Sequence, residues 1–481
     1  MTTHLINDEW VAGEGSKFTS LNPVTEKVLW EGNAASREQV ECAVHAAHSA
    51  HDSWAAKTVD QRIALLKEFG AVLEAHRAQL AAIIVAETGK IPSEANAEVT
   101  AMVNKIGISC DAYHARTGEL RAGHHGISHR SHGVMAIFGP YNFPGHLANG
   151  HIVPALIAGN TIVLKPSELT PATAQYVAEL WQRAGLPAGV VNLVQGGRET
   201  GEALAATNIQ GLLFTGSSQT GVALHRQFGG RPEVILALEM GGNNPMIVDV
   251  NLDATRVAKI VMQSAFASAG QRCTCTRRLI IIESEDTSEL LATLQEYTEA
   301  LQVDVPTMSP EPTMGPVISS TARNDLLDAW NGLVQLGGVS ITELRKTSHT
   351  RGYFLRPGVI DMTEAQGQGA AIPDKEYFGP LLQVYRVESF QQALALANAT
   401  RYGLAAGFLS DDLVRQQAFL QGSRAGVVAI NQPTAGASST LPFGGTGLSG
   451  NHRPGAWYAA DYCAWPQAQS FGHIDLVRKQ L

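Results

Sequence analysis

Between Gly133 and Val250 the chain repeats one pattern: a short β-branched apolar run, a turn rich in glycine or proline, then a helical stretch. The runs are VMAIFG, TIVLKPS, VVNLVQG, GLLFTGS, VILALEMGG and PMIVDV. Strands that alternate with helices pair in parallel, because each parallel connection needs a crossover and the crossover helices cover both faces of the sheet. The pattern therefore predicts a doubly wound open α/β sheet whose ligands lie outside the carboxyl ends of the strands. Beyond Leu252 a second series begins, with LIIIE, LLQVYRV, LAAGFLS and GVVAINQ as strands and helices such as Ser389 to Ala399 between them. It predicts a second α/β domain. Ahead of both, Arg37 to Glu87 carries alanine, leucine and isoleucine at three- and four-residue spacing and reads as helix.

A chain of 481 residues has room for two or three domains at roughly 150 residues each. Its 44 acidic against 35 basic side chains give a net charge of -9, the wrong sign for a nucleic-acid groove or an anionic membrane surface. The start MTTHLINDEWVAG has no secretion-signal pattern, and no apolar run approaches the ~18 residues of a spanning helix. Five cysteines, an odd number scattered along the chain, imply no disulfide framework and suit a reducing compartment. Together these predict a cytoplasmic protein with neither a nucleic-acid nor a membrane partner. Two segments fit neither domain, His114 to Ser131 and the tail after Tyr462, and are expected to pair with another subunit. The histidines of HHGISHRSH, at spacings of one, four and three, match no metal-ligand pattern and read as an exposed contact strand.

Several polar residues stand where chemistry is expected. Cys273, in SAGQRCTCTRR, has Arg272, Arg277 and Arg278 within five positions. Positive charge lowers a thiol pKa and creates the nucleophilic thiolate, while a small buried hydrophobe is the alternative. The nearby Cys275 forms a lone C-x-C, a weak zinc signal, and no metal is expected. Glu239, ending the strand in LALEMGGNNP, would have its pKa raised by burial and so suit a general base, or else be a solvated strand-end carboxylate. Asn142 in IFGPYNFP lies on a proline-stiffened turn, either to stabilise an oxyanion or to bond its own backbone. Lys165 and Glu168 in TIVLKPSELTP follow a strand where phosphate and ribose contacts are made. The turn from Gly216 to Gly221 leads into a helix whose N-terminus favours a pyrophosphate, although it matches neither common phosphate signature.

Seven segments in order, GPYNFP, LKPSELTP, FTGS, LEMGG, GQRC, EYFGP and PFGG, resemble the motifs of the aldehyde dehydrogenase superfamily over nearly the whole chain. The resemblance implies Cys273 as nucleophile, Glu239 as general base and Asn142 as oxyanion donor. It places Lys165, Glu168, Gly216, Ser217, Gly221, Glu376 and Phe378 at the cofactor, which is NAD rather than NADP because Glu168 would repel a 2'-phosphate. It divides the chain into an NAD-binding domain (1-113 and 132-241), a catalytic thiol domain (242-440) and an oligomerisation extension (114-131 and 460-481) of a homodimer or larger homo-oligomer. Asn243, where many relatives carry lysine, points to a subfamily acting on a small dianionic semialdehyde. A substrate with two carboxylates needs cationic or N–H-rich partners, and Arg277, Arg278, His146 and His151 are the candidates closest to the motifs. Ala148 departs from the more usual proline. Two other readings stay open: a coenzyme A-acylating dehydrogenase, for which a water-activating Glu239 would be superfluous, and an inactive binding protein on the same fold.

Overall fold

The structure, a computed structural model, describes residues 2–472. The β-branched runs become strands, and the strands form two seven-stranded sheets. In the first, the parallel strands lie in the order Ile235–Met240, Gly211–Gly216, Val134–Phe138, Thr161–Lys165 and Val191–Leu193, with the antiparallel Thr2–Ile6 and Glu9–Ala12 added at one side. The chain lays Thr161–Lys165 and Val191–Leu193 on one side of Val134–Phe138, then crosses to lay Gly211–Gly216 and Ile235–Met240 on the other. The order thus reverses between Val134–Phe138 and Gly211–Gly216, and such a switch point opens a crevice at the strands' carboxyl ends. Asn142 follows one of these strands, and Gly216 and Ser217 end the other.

The second sheet runs Val339–Thr342, Gly358–Asp361, Leu381–Val387, Thr276–Ile282, Asn244–Val248, Ala405–Leu409, Val427–Ile430, all parallel except the first pair. One expectation is corrected here. PMIVDV, grouped by periodicity with the first series although the resemblance draws its boundary at 241/242, is a central strand of the second sheet. Gly241 and Gly242 separate it from Ile235–Met240, and periodicity alone cannot say to which sheet the next strand crosses.

The helical stretch from Arg37 resolves into Arg37–Ala55, Val59–Ala75 and Arg77–Thr88. Ser36 and Thr58 start the first two with capping boxes, each side-chain oxygen accepting from the N3 backbone N–H of Gln39 or Gln61. A fourth helix, Pro92–Arg116, begins with proline at its first position and continues past the 113/114 boundary. The later three helices pack with His146–Ile157 and Pro171–Arg183 over one face of the first sheet around Phe69, Leu80 and Trp181, while Arg37–Ala55 sets Val40, Ala43, Val44 and Ala47 against Val134, Ala136 and Leu212 on the other face and sends Trp54 into the first core. The second sheet has its own core, including Phe266, Trp330, Phe408 and Phe419.

The segments that fitted neither domain form a three-stranded antiparallel sheet in which His125–Ser131 pairs with Ala464–Ser470 and Leu120–Ala122. Residues 473–481 of the expected extension lie outside the described residues. Among the described residues no single helix is long and apolar enough to cross a membrane.

The edge strand Ile235–Met240 is sheltered from an unexpected direction. Glu239 bridges Gly450, and Asn451 accepts from Leu238 N–H at 2.8 Å and donates to Leu236 carbonyl at 2.8 Å. Ser449 Oγ donates to the Gly241 carbonyl at 2.8 Å. These contacts satisfy backbone groups that an open sheet edge would leave unpaired.

Candidate active site

A cavity of about 330 Å³ lies between the two sheets. The Pro92–Arg116 helix supplies Glu94, Ala97, Glu98, Ala101 and Lys105, a single face at three- and four-residue spacing. Thr215 and Glu239, register partners on adjacent strands, face it from the first sheet. Cys273 faces it from the second.

An unusual backbone delivers Cys273. After the Ala254–Phe266 helix, Ser268, Ala269 and Gly270 adopt left-handed φ angles of 53°, 55° and 69°, which cost energy for the two residues that carry a Cβ. Gly270 is confined further: a Cβ there would stand 2.2 Å from the Gly379 carbonyl oxygen, so GQRC and EYFGP touch through a position open only to glycine. Glu94 holds the turn by accepting from the Ser268 N–H and the Arg272 guanidinium, each at 2.9 Å. Asn244 holds its far end, donating to the carbonyls of Cys273 and Cys275 at 2.7 and 2.9 Å and accepting from Ala405 N–H.

Asn142 is buried, and its amide donates to the Gln271 carbonyl at 2.9 Å. A primary amide has two N–H groups, so one remains to be offered near Cys273. Glu239 is 7 % exposed, and neither of its carboxyl oxygens has a hydrogen-bond partner among the described residues. Burial, reinforced by the charge of Glu376, raises its pKa to about 8. Cys273 is half-buried, and its thiol is held well above the ordinary value by desolvation and then by Glu239 and Glu376. Thiol and carboxyl therefore influence one another, although no geometrically complete bond joins them.

The expectation that neighbouring arginines ionise Cys273 is corrected. Arg272 turns to Glu94, Ser268 Oγ and the Ala435 carbonyl. Arg277, fully buried, donates to the carbonyls of Gly379 and Arg272. Arg278 donates to the carbonyls of Asn243, Leu396 and Ala397. Charges spent on distant carbonyls do not stabilise the thiolate, and the nearby carboxyls oppose it. For the same reason Arg277 and Arg278, proposed as substrate contacts, are not in the cavity lining. His146 and His151 do line it, but burial and then Lys105 lower both pKa values to about 4, so they are neutral near pH 7. His151 is engaged, its Nδ1 with Tyr462 Oη at 2.9 Å and its Nε2 with Thr215 Oγ1 at 3.0 Å.

The residues expected at a cofactor sit on another side. Lys165 ends its strand in register with Phe138, its Nζ donating to the Pro166 carbonyl at 2.8 Å and lying 3.7 Å from the more exposed Glu168. Ser217 caps the Ser218–Phe228 helix, its Oγ accepting from Thr220 N–H. Gly221 in that helix packs so closely on Met240 that a Cβ would stand 2.2 Å from its sulfur. Glu376 accepts from Gly242 N–H at 3.2 Å, and a Cβ on Gly241 would fall on its carboxyl group. Burial raises the Glu376 pKa to about 7, with Arg277 acting in the opposite sense. Phe378 meets Tyr141 edge-on, ring centroids 6.0 Å apart.

Sequence reasoning missed four contributors. Asn244 was hidden behind Asn243, which instead donates to Asp374 at 2.9 Å. Lys105 and Arg453 both line the cavity. The 435–456 segment, left partly outside any domain, supplies Ala435 to Ser439, Phe443, Gly455 and Ala456. The available signal for Lys105 was its position: Glu94, Glu98 and Lys105 recur along the stripe of the helix that faces inward, where charge is rarely spent without reason.

The aldehyde dehydrogenase family profile matches residues 10–467. The chain is 53 % identical over 468 residues to N-succinylglutamate 5-semialdehyde dehydrogenase of Klebsiella pneumoniae, covering 96 % of this chain and 94 % of that one. Among solved structures, HpcC from Thermus thermophilus superposes with a TM-score of 0.91 at 30 % identity, over 98 % of this chain and 94 % of the other. A mutant of aldehyde dehydrogenase C from Pseudomonas syringae, complexed with NAD+ and octanal, also gives 0.91 at 27 % identity, covering 98 % and 96 %.

Proposed function

The chain belongs to the aldehyde dehydrogenase family, and on that premise we propose that it oxidises N-succinyl-L-glutamate 5-semialdehyde to N-succinyl-L-glutamate with NAD, a step of arginine catabolism. The observation that carries the reading is a single cavity faced by the Cys273 thiol from one sheet and the unpartnered Glu239 carboxyl from the other. The name of the Klebsiella relative supports the substrate, and the NAD+ complex of the Pseudomonas protein supports the cofactor.

The residues present suit a dinucleotide. The first-turn N–H groups of the Ser218–Phe228 helix lack intrahelical partners and attract a pyrophosphate. Lys165 and Glu168 stand at a neighbouring strand end to bond ribose, Gly216, Ser217 and Gly221 shape the helix approach, and Glu376 and Phe378 face the nicotinamide end. The carboxylate of Glu168 disfavours a 2'-phosphate, hence NAD over NADP.

Catalysis begins with a proton. A thiol with a raised pKa is a poor nucleophile until a base relieves it, and Glu239, titrating near neutrality, is suited to take that proton. The sulfur then bonds to the aldehyde carbon, and the resulting oxyanion is held by the free N–H of Asn142 and the backbone N–H of Cys273. Bound NAD supplies the hydride acceptor that converts the thiohemiacetal to a thioester. Glu239 gives the thiol's proton up to solvent and then removes a proton from water as the water oxygen attacks the thioester carbon; collapse of that adduct expels the Cys273 thiolate, which takes the proton back from Glu239, and the carboxylic acid leaves and ionises.

In this reading residues 1-113 and 132-241 bind NAD, 242-440 carry the thiol, and 114-131 with 460-481 join subunits of a cytoplasmic homo-oligomer. The exposed Trp465 on the edge strand Ala464–Ser470 supports the last assignment. Following NADH absorbance across a panel of semialdehydes without added coenzyme A tests the whole. The N-succinylated semialdehyde should have the highest kcat/KM, and dependence on coenzyme A would replace hydrolysis with acyl transfer.

A further inference from the structure

We propose that Lys105, together with the ring of His146, seats a carboxylate of the substrate and thereby selects an anionic aldehyde. The inference rests on the reading above and names the residues that recognise charge. Lys105 is 1 % exposed, yet among the described residues no carboxylate lies within ion-pair distance of it. Its Nζ makes one described hydrogen bond, to the Ala456 carbonyl at 3.0 Å. An ammonium has three N–H groups, and two remain on a side chain that lines the cavity.

The contrast with its own helix is informative. Lys90 and Glu98 neutralise one another at 2.7 Å, and Arg272 is matched by Glu94 at 2.9 Å. Those four charges are thus paired two by two, whereas Lys105 has no carboxylate partner among the described residues. Buried cations are normally paired because desolvation is expensive, and burial lowers the pKa of Lys105 to about 8. An anion entering the cavity would reverse that penalty.

His146 provides the second observation. Its Nδ1 is buried without a partner, and Lys105 is close enough for its charge to disfavour the imidazolium. A neutral imidazole beside a cation can donate one N–H to a shared carboxylate. Ala456, whose carbonyl holds Lys105, lies at a left-handed φ of 56° and pairs with Pro442. The ammonium is therefore anchored by a lip of the cavity rather than left to rotate.

Kinetics of Lys105→Met and Lys105→Arg with N-succinyl-L-glutamate 5-semialdehyde and with hexanal test this. A charge-assisted bond lost from the bound state should lower kcat/KM for the semialdehyde about tenfold or more, mainly through KM, while changing hexanal far less. Lys105→Arg should recover part of the difference. Equal losses with both aldehydes would overturn the proposal.

The pH dependence of the parent enzyme gives a second readout. The ratio of KM for the semialdehyde to KM for hexanal should rise as pH passes about 8. His146 and His151 are already neutral there, burial keeps Tyr462 and Cys463 protonated, Glu98 is paired with Lys90 and Glu94 with Arg272, and Arg453 also lines the cavity. Glu239 ionises over the same range and its charge also repels an anionic aldehyde, so the same titration is run on Lys105→Met, where only that repulsion remains; a rise of equal size in parent and variant would overturn the proposal. A flat ratio would overturn the proposal. Wild-type enzyme without preference for the semialdehyde would refute the substrate reading itself, whereas a preference that survives in Lys105→Met would refute only the role of Lys105.

Discussion

Asn142, on the turn that leaves the first sheet, donates its amide to the carbonyl of Gln271, two residues before the nucleophile, at 2.9 Å. The bond ties the proposed oxyanion donor to the thiol loop across the boundary between the sheets. Replacing Asn142 with alanine removes the donor and leaves a buried carbonyl unpaired. The expected result is a fall in kcat of about a hundredfold to a thousandfold with a smaller loss of stability, of order 1–3 kcal/mol. Steady-state kinetics and urea denaturation separate the two.

Cys273→Ala should abolish NADH formation. In Glu239→Gln both the thiol and the attacking water lose their base, so acylation and hydrolysis should both slow; raising the pH should restore acylation by ionising the thiol directly, and mass spectrometry of mixtures quenched at high pH should find the acyl group on Cys273. No adduct at that position would refute covalent catalysis.

The raised pKa of Glu239 has a thermodynamic sign. A carboxyl with an unfolded value of 4.5 and a folded value of about 8 holds its proton longer when folded, so its contribution to stability falls as pH rises from 4.5 to about 8 and is constant beyond. Glu239→Gln should therefore match the parent near pH 4 and exceed it at pH 9 by a margin of order a few kcal/mol, measured as denaturation midpoints. Deacylation in the parent should instead climb with pH to about 8, where the base is ionised.

Glu98 closes a buried pair with Lys90 at 2.7 Å and also accepts from the N–H groups of Gly145 and His146 at 2.9 and 3.1 Å. Glu98→Ala strands an ammonium and uncaps the His146–Ile157 helix. The expected loss is about 3–5 kcal/mol, read as a lowered urea midpoint.

Arg278 makes three bonds to backbone carbonyls and is 4 % exposed. Arg278→Ala should cost stability of order 3 kcal/mol or more. Its ratio of KM values for charged and neutral aldehydes should stay at the parent's, the opposite of the outcome for Lys105→Met.

Much of the architecture was legible because parallel strands announce themselves as dense β-branched runs, and every strand of that kind read from the sequence is present. The motifs likewise located Cys273, Glu239 and Asn142 by position. What sequence distance could not convey was direction. Arg277 and Arg278 lie within five positions of Cys273 along the chain, yet strand alternation and nearby carbonyls carry their charges elsewhere. Lys105, 168 positions from Cys273 by subtraction of their numbers, meets the same cavity because a helix face brings it there. Periodicity grouped Asn244–Val248 with the wrong sheet for a related reason, since a strand's apolar pattern describes its burial and not its neighbours; only the motif resemblance, with its boundary at 241/242, set it in the second.

Ser449 to Asn451 have a consequence for how the molecule is made. The strand bearing the general base is translated long before the residues that cover its flank, so a nascent chain displays an unzipped backbone margin for the time taken to add roughly two hundred further amino acids. Synthesis that stops between positions 240 and 449 would leave the first sheet with an adhesive border, and such fragments should self-associate rather than persist as monomers.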